Sequence, residues 1–270
     1  MLRSMYSGIS GMKNMQTKLD VIGNNIANVN TYGFKKGRTT FSDMVSQQLA
    51  GATSPGENRG GVNARQVGLG MQLASIDTIH TQGSLQNTNR ALDLGISGDG
   101  YFIVEDGETQ YYTRAGNFYL DSEGNVVNAN GLYLLDTNEN RINFIDIAGD
   151  LDNIKSFSIG ADGSINIIDN EGEVIESDIQ VALAKFSNAE GLDKAGDNLY
   201  MVSTNSGAPE IFAPGDGGVG TLVAGTLEMS NVDLSDEFTE MIVAQRGFQA
   251  NTRIITTSDE ILQELVNLKR

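Results

Sequence analysis

Residues 234–270 read LSDEFTEMIVAQRGFQANTRIITTSDEILQELVNLKR, and this stretch decides the fold. Its apolar positions recur in alternating steps of four and three residues, which is the heptad spacing of a helix that packs along one stripe. Asp233 or Ser235 can cap the start of the helix. The predicted heptad seam consists of Leu234, Phe238, Met241, Phe248, Ile255, Leu262 and Val266, with polar Gln245, Thr252 and Asp259 between them.

The N-terminus carries the same spacing and is interrupted at Gln16 and Gly23. Its predicted seam consists of Leu2, Met5, Ile9, Met12, Leu19 and Ile26. Asn and Gly residues within 28–33 predict the end of this helix. A long apolar stripe needs a partner, and two partners stay open: the other terminal helix, as a simple helical hairpin, or further copies of the chain. The polar residues in the two seams, Gln16, Gln245, Thr252 and Asp259, favour contacts with further copies over a closed helical hairpin.

The middle of the chain changes to a period of two, which is typical of β-strands. Turn signals such as Asn130-Gly131 separate the apolar runs. The predicted strands cover residues 101–104, 111–120, 126–135, 142–147, 154–159, 164–168, 174–186 and 199–203. Residues 46–70, rich in Gly, Ser, Asn and Gln, predict an extended loop. The predicted fold class is therefore α+β, with paired terminal helices and an inserted antiparallel β domain of hairpins.

Composition and charge exclude several classes of partner. The formal net charge is −17, and residues 91–200 hold 21 acidic but five basic side chains. Such a field repels phosphates, so we expect neither nucleic acid nor anionic membrane as a partner. There is no run of about 20 apolar residues that would insert into a membrane, and Ser, Gly and Lys interrupt the N-terminus, so we expect no cleaved signal peptide.

Catalytic and metal-binding patterns are weak. The chain has no Cys and a single His, His80, which excludes a two-His metal site and predicts a surface or strand-edge residue. The acidic run 136–141 places Arg141 where a calcium loop needs Gly. We therefore expect no enzyme activity, no cofactor and no metal.

Several motifs together resemble bacterial flagellar rod and hook proteins. Residues 19–35 (LDVIGNNIANVNTYGFK) are similar to the N-terminal signature of this family, and residues 230–234 (SNVDL) with 241–251 (MIVAQRGFQAN) to its C-terminal signature. Four further motifs resemble its first β domain: residues 82–86 (QGSLQ), 92–94 (LDL), 98–102 (GDGYF) and 112–116 (YTRAG). The resemblance covers nearly the whole chain.

The resemblance implies that different segments of the chain form different domains. Residues 1–30 and 234–270 would pair as a coiled coil lining an inner tube, residues 31–89 with 216–233 would form a linker domain, and residues 90–215 an outer β layer. Copies would stack head to tail into an open helical tube together with other flagellar axial proteins: rod proteins, the hook–filament junction and the hook cap.

The resemblance also implies a route out of the cell. Export would use the flagellar type III apparatus without a cleaved signal peptide, to an extracellular hook or basal body. Phe41 and Val45 resemble a short export-gate element of flagellar export substrates, although a helical turn that packs Phe41 on Val45 stays open.

Three functions remain at this point. The N-terminal block and residues 41–44 (FSDM) resemble a hook protein, which forms a curved tube that joins rod to filament and transmits torque. Short hook proteins of the Gram-positive type combine these features with a short chain, and this is the function that we favour from the sequence. The length and the single β domain fit the alternative, a distal rod protein that forms a straight drive shaft. A free-standing adhesin or carbohydrate-binding β module is a third possibility, but it would not need paired terminal helices.

Overall fold

Two long helices at the ends of the chain flank a β-rich middle, as the sequence predicts. The computed structural model describes residues 2–56, 60–107, 109–149, 154–170 and 172–268. The chain divides into two compact units, the first formed by residues 1–27, 37–78 and 233–270 and the second by residues 28–36 and 79–232. The three-part division implied by the resemblance stays a prediction.

The first unit contains the two long helices and four strands. Its elements are α1 (Leu2–Ala27), β1 (Gly37–Asp43), β2 (Ser46–Ala50), β3 (Arg65–Gly68), β4 (Met71–Thr78) and the C-terminal helix α3 (Leu234–Leu268). Asp233 caps α3, because its side-chain Oδ1 accepts the Ser235 N–H at 2.8 Å and its carbonyl accepts the Glu237 N–H at 3.0 Å. The predicted start of this helix is therefore confirmed.

Four strands of the first unit form a long antiparallel ribbon. β1 pairs with β4 from Gly37↔Thr78 to Asp43↔Met71, and a hydrogen bond from Met44 N to the Gly70 carbonyl (2.9 Å) leads into the β2–β3 pair. The prediction of a loop over residues 46–70 was therefore wrong for β2 and β3. Because the β2–β3 pairing continues a ladder already formed at its base, it needs no apolar alternation of its own.

The second unit contains most of the strands and two short helices. Its elements are β5 (Leu85–Asn87), β6 (Leu94–Ser97), β7 (Tyr101–Asp106), β8 (Thr109–Thr113), β9 (Tyr119–Leu120), β10 (Val126–Val127), β11 (Tyr133–Leu134), α2 (Phe144–Ala148), β12 (Ile154–Ile159), β13 (Ser164–Asp169), β14 (Val174–Gln180), β15 (Leu183–Lys185), a 3₁₀ turn (Ala189–Gly191), β16 (Asp193–Gly196), β17 (Leu199–Met201), β18 (Glu210–Phe212), β19 (Thr221–Ala224) and β20 (Thr226–Glu228).

The strands of the second unit pair antiparallel around two apolar clusters. The largest sheet has the order β16-β17-β8-β7-β11-β10-β9, and β15 pairs with both β7 and β18; β12-β13-β14, β6–β19 and β5–β20 form smaller sheets. The larger cluster is centred on Phe102, Phe118 and Phe144, which are fully buried. β7 contributes to both clusters because alternate residues of a strand face opposite sides.

One predicted strand of the second unit is a helix instead. The apolar residues of 142–147 predict a strand, but α2 occupies Phe144–Ala148. The Asn143 side chain accepts the Ile145 N–H at 2.8 Å, which caps the helix start, and Gly149 ends the helix with a φ of 78°. Because these end residues supply helix caps, they override the short apolar alternation.

We predict that the second unit needs glycine at position 116 to be stable. A Cβ at this position would overlap the carbonyl oxygen of Leu94, whose own N–H donates to the Gly116 carbonyl at 2.9 Å. Gly116→Ala should therefore lower the free energy of unfolding by about 3 kcal/mol or more. In the matched control Gly131→Ala, the new Cβ meets nothing within 4 Å and the positive φ alone should cost about 1–2 kcal/mol. Equal losses in urea unfolding would contradict this account.

Candidate assembly surfaces

The two terminal helices of the first unit lie antiparallel and close together. Gly8 lies against Ile255 and Asn251, whereas Lys18, further along α1, forms an ion pair with Glu240 (3.1 Å) near the start of α3. The approach is tight, because a Cβ at Gly11 would lie 2.7 Å from the Asn251 amide nitrogen. Small residues therefore set the distance between these helices.

A buried polar contact holds the other end of this helix pair. The Asn25 side chain donates to the Glu237 carboxylate (3.1 Å) and to the Gly37 carbonyl (2.9 Å), and it accepts the Gly37 N–H (2.9 Å). Asn25 thus connects the end of α1, the start of α3 and the start of β1. Because both side chains are buried, losing either one would remove one hydrogen bond of a buried polar group.

The buried and half-buried residues of α3 keep a heptad spacing. Every second position of this spacing coincides with the predicted seam, and the positions between them lie one residue before it. Glu237, Ala244 and Ser258 are buried, and the half-buried members are Met241, Gly247, Phe248, Asn251, Thr252, Ile255 and Leu262. Met241, Phe248, Ile255 and Leu262 of the predicted seam are therefore among them. The other three, Leu234, Phe238 and Val266, are exposed, Val266 by 66%.

On α1, the described side chains of the predicted seam are all half-buried. These are Met5, Ile9, Met12, Leu19 and Ile26, whereas the side chain of Leu2 lies outside the described residues. The most buried positions are Gly8, Gly11, Ile22 and Asn25. Sequence reasoning missed them because it followed large apolar residues, although steps of three and four connect Gly8, Gly11, Met15, Lys18, Ile22 and Asn25 as well.

Many large apolar side chains of α3 are exposed in the single chain. They are Leu234, Phe238, Ile242, Val243, Ile254, Ile261, Leu265, Val266 and Leu268. So many exposed apolar side chains along one helix indicate a surface that contacts another protein. The part that the predicted seam plays in assembly stays a prediction.

The predicted export element lies on the β ribbon of the first unit. Phe41 belongs to β1 and is opposite Leu73 of β4, next to a shift in register. Val45 follows β1 and is 81% exposed. A helical turn that packs Phe41 on Val45 is therefore wrong, because this backbone is extended.

A buried ion cluster lies in the second unit. Lys35 donates to Glu228 Oε1 at 2.6 Å and to the Thr81 carbonyl at 2.8 Å, and Arg114 Nη1 lies 3.3 Å from Glu228 Oε2. Gly83 N–H donates to the same carboxylate at 2.8 Å. Burial lowers the pKa of Lys35, and the adjacent Glu228 partly counters this effect. The cluster joins segments far apart in sequence.

His80 lies beside this cluster among aromatic rings. Its Nδ1 is 2.7 Å from the Tyr101 hydroxyl, and its ring meets those of Tyr101 and Tyr200 edge-on. Burial lowers the pKa of His80 to about 4, helped by the positive charges of Lys35 and Arg114. His80 lies just after the end of β4 and is half-buried, so the predicted surface or strand-edge position is only partly right, because the ring also packs on Tyr101 and Tyr200.

Within the described ranges, His, Asp and Glu form no group of three or more that would hold a metal ion. No helix among the described residues has the length and apolarity to span a membrane.

Comparison with known protein families assigns both ends and the middle of the chain. Residues 5–35 match the family described as flagella basal body rod protein, residues 95–167 the flagellar hook protein FlgE/F/G D1 domain, and residues 223–268 the flagellar basal body rod FlgEFG protein C-terminal region. The helical ends and the β-rich middle thus each have a counterpart.

Individual relatives cover the whole chain. The flagellar basal-body rod protein FlgG of Bacillus subtilis is 59% identical over 271 residues, with 100% of both chains covered. The flagellar hook protein FlgE of Borreliella burgdorferi is 33% identical over 441 aligned residues, and that of Treponema pallidum 31% over 463, again with both chains fully covered. The chain therefore belongs to the flagellar rod and hook family and is a structural protein of the flagellar axis.

Proposed function

We propose that this protein is the distal rod subunit, which polymerises into a straight tube that acts as a drive shaft. The observation that carries the proposal is the 59% identity to a basal-body rod protein over the full length of both chains. Both hook relatives need alignments of 441 and 463 residues to cover this 270-residue chain, because they contain long segments that it lacks. The hook interpretation, which the sequence motifs favour, fits these comparisons less well.

The β2–β3 hairpin supports a shaft rather than a joint. A loop rich in Gly would make weak contacts that can be remade as a tube bends. Instead, β2 and β3 are paired from Ser46↔Gly68 to Ala50↔Arg65, and all their residues are exposed. A two-stranded hairpin without a covered face is marginally stable alone. We infer that a neighbouring subunit covers it and that this contact resists sliding between subunits.

The terminal helices form the polymer core in this proposal. α1 and α3 of one chain would pair as a coiled coil through their small and polar face, with Met241, Phe248, Ile255 and Leu262 at its border. The exposed apolar side chains of α3, including those of Leu234, Phe238 and Val266, would then pack on the next copy. Such contacts are heterologous and build an open helix.

The remaining expectations follow from this role. The neighbours in the axis would be other rod proteins and, beyond the rod, the hook proteins, and the type III apparatus would export the chain. No enzyme activity or cofactor is proposed. The Tyr101 hydroxyl occupies His80 Nδ1, and the low pKa of His80 keeps the ring uncharged near neutral pH, so the ring is poorly suited to acid–base chemistry.

We predict straight tubes whose straightness depends on the hairpin. Purified full-length protein should form straight tubes near neutral pH in electron micrographs. Val67→Pro removes the N–H of a residue paired with Gln47 and should give bent or irregular tubes, whereas Val67→Thr keeps the strand and should give straight ones. Curved tubes of the unchanged protein would support the hook interpretation instead.

We further predict that Phe41 acts in export. Phe41→Ala should reduce the secreted amount several-fold while purified protein still forms tubes, because the side chain is half-buried at an irregular point of β1. Leu73→Ala, on the opposite strand, is the matched control and should be secreted normally. Normal secretion of Phe41→Ala combined with defective tubes would assign the residue to structure.

A further inference from the structure

The second unit contains a cavity that is separate from the proposed contacts of the terminal helices and of the β2–β3 pair. Its volume is about 210 Å³, several times the roughly 30 Å³ that one water occupies in the liquid. The residues that define its chemistry are His80, Asp99, Tyr101, Arg114, Lys185 and Phe186. Basic side chains and a histidine thus meet in the part of the chain where acidic residues predominate.

Arg114 supplies one hydrogen-bond donor that is not satisfied. Its side chain is 2% exposed, and Nη1 donates to the Gly98 carbonyl (2.9 Å) and to Glu228 (3.3 Å). Nε is buried and has no partner among the residues that the structure describes. A buried N–H without an acceptor is destabilising, and the guanidinium of Arg114 places its positive charge at the wall of the cavity.

His80 supplies a second unsatisfied polar atom. Burial raises the pKa of Tyr101 to about 12, so its hydroxyl keeps its proton near neutral pH and shares a 2.7 Å hydrogen bond with His80 Nδ1. Because the pKa of His80 is lowered to about 4, the ring carries one proton, and Nε2 is a donor in the tautomer in which the Tyr101 hydroxyl donates to Nδ1. Nε2 is buried and also lacks a partner within the described part of the chain.

The charge around the cavity favours an anion. Glu228 is shared by two cations, Lys35 and Arg114, so the buried ion cluster keeps one positive charge. Lys185 adds another at the wall, where its Nζ donates to the Gly217 carbonyl at 3.0 Å. The acidic residue of the wall, Asp99, is exposed, and water therefore screens its charge.

We propose that this cavity binds a carboxylate group, and that in the tube the carboxylate belongs to an Asp or Glu side chain of a second copy of the chain. The second part rests on the proposed function. Residues 91–200 carry 21 acidic and five basic side chains, so the surface of a neighbouring copy offers many carboxylates. The acidic surfaces of two copies repel each other, whereas a basic cavity attracts them. A basic cavity on such a chain is complementary to its own acidic surface and fixes the register of a head-to-tail contact.

The first experiment tests the chemistry on full-length, unassembled protein. His80 is the only histidine, so isotope-labelled histidine gives NMR signals from this cavity alone. The signals should show the Nε2–H tautomer and should shift saturably with sodium acetate at constant ionic strength. Lys185→Gln should weaken acetate binding about three- to tenfold through the lost charge. The matched control Lys155→Gln, exposed on β12, should leave it unchanged.

Two results of this experiment would overturn the carboxylate site. One is the absence of a saturable shift up to about 0.1 M acetate, a range that covers even very weak binding. The other is an equal loss of affinity in Lys185→Gln and Lys155→Gln, which would mean that acetate senses only the overall charge.

The second experiment tests where the carboxylate comes from. Tubes without acetate, studied by solid-state NMR, should show His80 signals already shifted in the direction that acetate produces, and Lys185→Gln tubes should not. His80 signals that match the free chain would overturn the second-copy occupant. If micrographs show no tubes, both the proposed function and the binding of a carboxylate from a second copy are overturned. The acetate result would stand, because it needs no tubes.

Discussion

The close approach of α1 and α3 is the contact on which the first unit depends. A Cβ at Gly11 would collide with the Asn251 side chain, and Asn25 bonds Glu237 and Gly37 at the other end. Small and polar residues are therefore part of the contact within one chain, beside half-buried Met241 and Phe248. Other large apolar residues of α3 stay exposed, which gives a polymerising subunit a surface that another copy can cover.

Polar groups also organise the second unit. Lys35, Arg114 and Glu228 come from distant parts of the sequence and are all buried, and replacing one of them would leave an uncompensated charge. Such a cluster stabilises less than an apolar core of the same volume, but it tolerates few alternative arrangements. We infer that it fixes how residues 28–36 join the β strands of their own unit.

The sequence predicted local structure well where a single residue determines the backbone conformation. It predicted less well the features that depend on packing between segments distant in sequence. Asp233 predicted the start of α3 correctly, because a cap acts through its own hydrogen bonds. The predicted seam missed Gly8 and Gly11, since glycine carries no apolar signal and its value appears only when another helix approaches. The β2–β3 pairing depends on the strands at its base, and the packing of His80 depends on rings distant in sequence. Neither leaves a periodic pattern.

A high-resolution cryo-electron microscopy reconstruction of the tubes tests the central claim most directly. The account predicts that α1 and α3 of each chain stay paired through Gly8, Gly11 and Asn251, while Phe238 and Val266 are buried against a neighbouring copy. It is contradicted if α1 and α3 of one chain separate in the tube, or if Phe238 and Val266 still face solvent there.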